Sequence, residues 1–220
     1  TPSGVLLDVP WRVAPYAWGA KVPRTARVLG SGVLIDGGLA ALVPTRVIEG
    51  AVHIWVRNGL GQTAEASIGE RLDEAPLTLL RLAEGLAPPP AFLHAAREPF
   101  GGGPGYVLEY SVGVVDRAAW PLLQLGFFAS VPREGGPRPL GIDLPPGPRG
   151  GPVFDAAGQL VGVAFADGTN IDRVVFASQL RPRPGVWRAE ASAGSTVTRM
   201  AIDEVYERGL KATVQVIVSR

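Results

Sequence analysis

The chain has 220 residues and a net charge of +1, with its arginines scattered rather than clustered, so it carries no basic face for nucleic acid and no charged face for a membrane. The absence of cysteine excludes disulfides, zinc–thiolate sites and cysteine nucleophiles. The 29 glycines and 21 prolines break up long helices, so the expected class is all-β, with short strands and turns in one large domain or two small lobes. The longest apolar stretch, residues 118–131, is interrupted by Pro121, Gln124 and Gly126 and is too short to cross a bilayer.

Residues 1–24 set Trp11, Tyr16 and Trp18 among Pro10, Pro15 and Pro23, a pattern for either an extended surface arm or a first strand. From Arg27 the chain reads as a strand, a small-residue crossing at Gly30 to Gly32, a second strand, and a third over residues 39–43 that runs into Pro44-Thr45-Arg46-Val47. Residues 52–57 and 62–67 are two more strands around the hairpin signal Asn58-Gly59. Asp73-Glu74-Ala75-Pro76 then leads into the apolar run 77–82. Residues 83–105, rich in proline and glycine, divide the chain into two lobes at about 25–85 and 104–180.

In the second half, strands are expected over 105–117 and 122–131, followed by a stiff proline-rich loop, residues 132–148. Next comes Gly147-Pro148-Arg149-Gly150-Gly151-Pro152, where adjacent glycines before a proline demand sharply bent backbone. Strands near Val153 and Leu160 flank a turn at 155–158, residues 170–177 form a last strand, and 178–180 begin a helical exit. A linker opens at Arg181. Residues 195–208 read as a helix ended by Gly209, and 210–218 as a strand of alternating valines. This tail, within 183–220, either packs back on the lobes or opens a second domain.

The Gly-Gly-Pro loop resembles the G-N-S-G-G-P signature of trypsin-like serine proteases, in the HtrA (DegP-like) branch. Two further stretches are similar to that family in the right order: residues 30–51, and the strand entered through Pro76. Over residues 25–182 the resemblance implies a double β-barrel of the trypsin type, with a helix–strand extension behind it. It also puts the nucleophile position at Arg149, the base position at Arg46 and the orienting acid position at Pro76. None of the three residue types can do the work: a guanidinium has no lone pair to offer, and proline has neither carboxylate nor N–H. Asp73 and Glu74 lie a strand offset away.

The resemblance therefore implies a pseudoprotease: not an enzyme, but a module binding a protein or peptide. Alternatives are a hydrolase with a relocated site, or an anion- or metal-binding module on the same fold. No cofactor or metal ligand set is expected, and His53 and His94 read as structural or surface histidines. The family's residence implies an extracytoplasmic location.

Arg46, Arg149, Gly147 and Gly150 form the candidate binding site. If Arg46 and Arg149 meet, two guanidiniums about 4 Å apart repel by roughly 1–4 kcal/mol, so they splay into water or share an anion. Two arrangements stay open. In one, arginines and loop amides converge on an anionic ligand such as a chain-terminal carboxylate. In the other the site is collapsed, its amides turned inward to protein carbonyls and Arg149 paired with a local acid such as Asp116.

Overall fold

The computed structural model describes residues 15–88, 94–95, 97–110, 113–114, 117–132, 137–169, 171–181 and 199–220. Trp11, Asp116 and the 182–198 connection lie outside them.

Lobe one is a closed six-stranded barrel, and its last strand comes from the far end of the sequence. Strands β2 (Arg27–Ile35), β3 (Ala40–Pro44), β4 (His53–Asn58), β5 (Gln62–Arg71) and β6 (Leu77–Leu82) are joined by β13 (Thr213–Ser219). They hydrogen-bond in the ring β2-β3-β6-β5-β4-β13-β2. Alternation explains why this closes: Val214, Val216 and Val218 of β13 point into the barrel with Leu34, Val43, Val56 and Leu80. On its outer face Ile217 packs with Val28 and Trp55, and Gln215 accepts from buried Arg57. Each fully buried valine contributes about 1.5–3 kcal/mol. A two-residue piece of the arm, β1 (Trp18–Gly19), pairs in parallel with β5, while Tyr16 stays exposed.

β2 is one continuous strand, where the sequence suggests a crossing at Gly30 to Gly32. The two glycines are needed for close approach. A Cβ at Gly32 would lie 2.8 Å from Val43 Cγ1, and one at Gly30 3.0 Å from the Arg149 carbonyl oxygen.

Lobe two is a five-stranded sheet in the order β12-β11-β10-β7-β9: β7 (Pro104–Glu109), β9 (Leu122–Phe127), β10 (Pro152–Asp155), β11 (Leu160–Ala166) and β12 (Asp172–Phe176). Beyond β12 the described residues of the proline-rich loop add a single bridge, Pro139 to Arg173, and proline cannot donate to a ladder. The short β8 (Gly113–Val114) leaves this lobe to pair with β2. Leu108 and Phe154 of lobe two join Val33, Leu42 and Leu79 of lobe one in a single apolar seam.

Helix α1 (Ile202–Ala212) covers one end of that seam with Val205 and Ala212. It starts later than the sequence suggests and runs through Gly209 instead of stopping there. The missing side chain at Gly209 is a packing requirement, since a Cβ would sit 2.6 Å from the Leu108 methyls. The helix–strand tail is thus built into the body: α1 lies on the seam, and β13 completes lobe one.

Candidate functional site

The stretches carrying Arg46, Pro76 and Arg149 meet at the seam through their backbones. Pro44 ends β3, and the 3-10 turn Thr45–Ile48 that follows carries Arg46. The Thr45 N–H donates to the Pro76 carbonyl at 3.0 Å, and the Thr45 and Thr78 hydroxyls lie 2.9 Å apart. The turn that carries Arg46 and the stretch that carries Pro76 are therefore neighbours. The glycine loop comes up against the same corner from lobe two. A Cβ at Gly150 would meet the Ser31 carbonyl oxygen at 1.8 Å and Pro44 Cδ at 2.8 Å, and the φ of Gly150 is +141°. Only glycine tolerates that approach and that backbone together.

The two arginine side chains differ in burial and in surroundings. Arg149 is buried and turned back into lobe two. Its Nε and Nη2 donate to the two oxygens of Asp172 at 2.7 and 2.8 Å, and Nη1 to the Pro145 carbonyl at 2.5 Å. This is the planar, bidentate pairing that suits a guanidinium. Arg46 is exposed and crosses the seam, its Nη1 lying 3.0 Å from where a Cβ on Gly168 would stand.

The loop amides face inward. Glu109, at the end of β7, is buried, and its Oε1 accepts from the Gly151 N–H at 2.9 Å and the Gly150 N–H at 3.2 Å. The Ser31 hydroxyl also bonds this carboxyl, while Ser31 Oγ accepts from the Tyr110 N–H at 2.8 Å. Oε2 is buried without a hydrogen-bond partner among the described residues. Burial raises the Glu109 pKa to about 7, against the opposing pull of Ser31, the two amides and the Arg149 charge. Glu109 and Asp172 escape sequence reading, although an acid inside the apolar run Tyr106-Val107-Leu108 is itself a mark of a buried carboxyl.

His53 lies exposed on β4, tilted against Trp55 with ring centres 5.8 Å apart, and His94 bridges to Leu160. A cavity of about 310 Å³ sits on the outer face of β4 and β5, lined by His53, Trp55, Glu65 and Ile68 among others, and not at the seam corner.

A family model described as the trypsin-like peptidase domain matches residues 30–163, more than half of the chain. The chain belongs to that family. Among solved structures, this trypsin-like domain is similar to the HtrA-type protease AlgW with a decapeptide, at 21% identity and a TM-score of 0.55. That match covers 67% of this chain and 48% of the other, so the chain spans about half the length of AlgW. It is also similar to Rv3671c from M. tuberculosis H37Rv, in an inactive mutant form, at 19% identity and a TM-score of 0.52, with 76% of this chain and 94% of that one covered. No curated protein matches the sequence.

Arg149→Ala strands Asp172, whose side chain is 22% exposed, beside a buried loop. Breaking a fully buried pair costs about 3–5 kcal/mol, and partial hydration of Asp172 lowers the expected loss to about 2–3 kcal/mol. Urea unfolding measures it, and adding Asp172→Asn to the same chain is expected to recover more than half.

Proposed function

We propose that this trypsin-like domain is a non-catalytic module that binds a protein or peptide. The observation that carries the reading is the Arg149–Asp172 ion pair: the residue at the nucleophile position is a guanidinium locked into lobe two. The neighbouring amides of Gly150 and Gly151 are likewise committed to Glu109, which supports the collapsed arrangement over an open anion site. Nothing at Arg46, Pro76 or Arg149 supplies a nucleophile or a base near neutral pH. Peptide binding is supported by kinship with a family whose member AlgW has been solved with a decapeptide. Its place in the cell, on the same likeness, is outside the cytoplasm, which fractionation of expressing cells tests.

A second reading rests on one observation. Glu109, with its raised pKa, touches the Ser31 hydroxyl, an acid–base pair of the kind a rebuilt hydrolase would use. Both residues are buried, with Ser31 at 0% and Glu109 at 3% exposure, so a substrate has no access without opening the seam.

A broad panel of fluorogenic peptides and denatured casein separates the readings. Turnover is expected to equal the buffer rate for the native chain, and a peptide library is expected to yield ligands that the native chain retains. Turnover abolished by Ser31→Ala or Glu109→Gln would establish the hydrolase, and turnover abolished by Arg46→Ala or Arg149→Ala would place chemistry at the triad positions.

A further inference from the structure

β13 is hydrogen-bonded along both edges, to β2 from Thr213 to Val218 and to β4 from Val214 to Ser219. Without it, lobe one is an open sheet whose two free edges, β2 and β4, face each other across the width of one strand. The preceding helix adds anchors on both lobes. Tyr206 Oη donates to the Pro121 carbonyl at 3.1 Å, the Met200 N–H to the Ala156 carbonyl at 2.8 Å, and Leu210 lies over Gly59. These three contacts all come from within residues 199–220.

The stretch joining it to Arg181, residues 182–198, is 17 residues long and rich in proline, glycine, alanine and serine. Fully extended, it reaches about 60 Å. A compact domain of this length is about 45 Å across. The connection is long enough to carry the helix–strand unit to a neighbouring molecule.

We propose that the slot between β2 and β4 is a strand-accepting site that takes residues 199–220 from a second copy of this chain as well as from its own. The contacts are the same in both arrangements, so concentration sets the balance. A tether of 17 residues holds its own strand at an effective concentration on the order of millimolar. Own-chain filling dominates in dilute solution, and exchange between copies rivals it at about 1 mM, where the concentration of free chains matches that effective concentration. The proposal is independent of whether the seam binds peptides or hydrolyses them.

The cysteine-free sequence makes a clean test possible. Ser219 and His53 are directly opposed across β13 and β4, near the end of the strand. One copy carrying His53→Cys and another carrying Ser219→Cys are unfolded together, refolded at about 1 mM and oxidised. A disulfide between positions 53 and 219, located by mass spectrometry, then joins two copies only if the strand of one fills the slot of the other. The expected result is such a band at twice the chain mass, weaker by tenfold or more when refolding is done at about 10 µM. Both substitutions in one chain give the control, an internal bridge. The pair Arg27→Cys and Val218→Cys repeats the test on the β2 edge. Internal bridges at either pair, with no bridge between copies at any concentration, would overturn the proposal.

Discussion

Val216→Asp is expected to leave no cooperatively folded protein at 25 °C. Val216 has no exposed surface and points into the closed barrel between Val214 and Val218, on a strand that holds both β2 and β4. An unpaired carboxylate there costs several kcal/mol, or is held neutral at a similar cost, and the lost valine removes about 2 kcal/mol more. Against a total stability of about 5–15 kcal/mol for a domain, that is decisive. The loss reaches the candidate site, because Val216 is paired with Gly30, and Gly30 lies against the Arg149 carbonyl. Near-ultraviolet circular dichroism reads the outcome, with Val216→Thr as a milder control expected to lose about 1–3 kcal/mol. A Val216→Asp chain that unfolds cooperatively within 1 kcal/mol of the native one would show that β13 is dispensable to lobe one.

Stability is expected to fall as pH rises from about 4.5 to beyond 7, by roughly 3 kcal/mol in total, through Glu109 alone. The carboxyl has a pKa of about 7 when folded and 4.5 when unfolded. Between those values the native state holds a proton that the unfolded chain has released, so raising the pH favours unfolding. The contribution is fully present below pH 4.5 and lost once the folded group has ionised above pH 7. Urea unfolding at closely spaced pH values, with Glu109→Gln as the reference, isolates it. The difference between the two chains is expected to shift across that window and level off on either side. A difference that stays constant from pH 4 to 9 would mean that Glu109 ionises as an ordinary surface acid. The charge also bears on the loop, since the carboxylate form is the stronger acceptor for the Gly150 and Gly151 amides.

Much of this protein was legible in the residues themselves. The period-two valines of 213–219, the turn at 155–158 and the strands of lobe one follow from local alternation and turn chemistry. The family followed from the Gly-Gly-Pro loop and the stretches leading to Arg46 and Pro76. The incapacity of those three residue types for proton transfer is likewise a property of their own groups, independent of any neighbour. Such features are local, carried by a few consecutive residues.

What the tertiary structure decided is who touches whom across long stretches of chain. Arg57 and Gln215, hydrogen-bonded on the outer face of the lobe-one barrel, are 158 residues apart, and no periodicity in either segment names the other. The same holds for Asp172, an unremarked residue at the start of β12 until its two oxygens meet Arg149, and for Glu109, whose raised pKa comes from burial that only the seam creates. Gly209 reads as a helix stop on propensity, yet Leu108 across the seam makes it an interior position. Local chemistry sets which strands and turns form. Register, burial and pairing depend on surfaces brought together by folding, and their energies exceed the few tenths to about one kcal/mol of intrinsic preference that sequence reading has to work with.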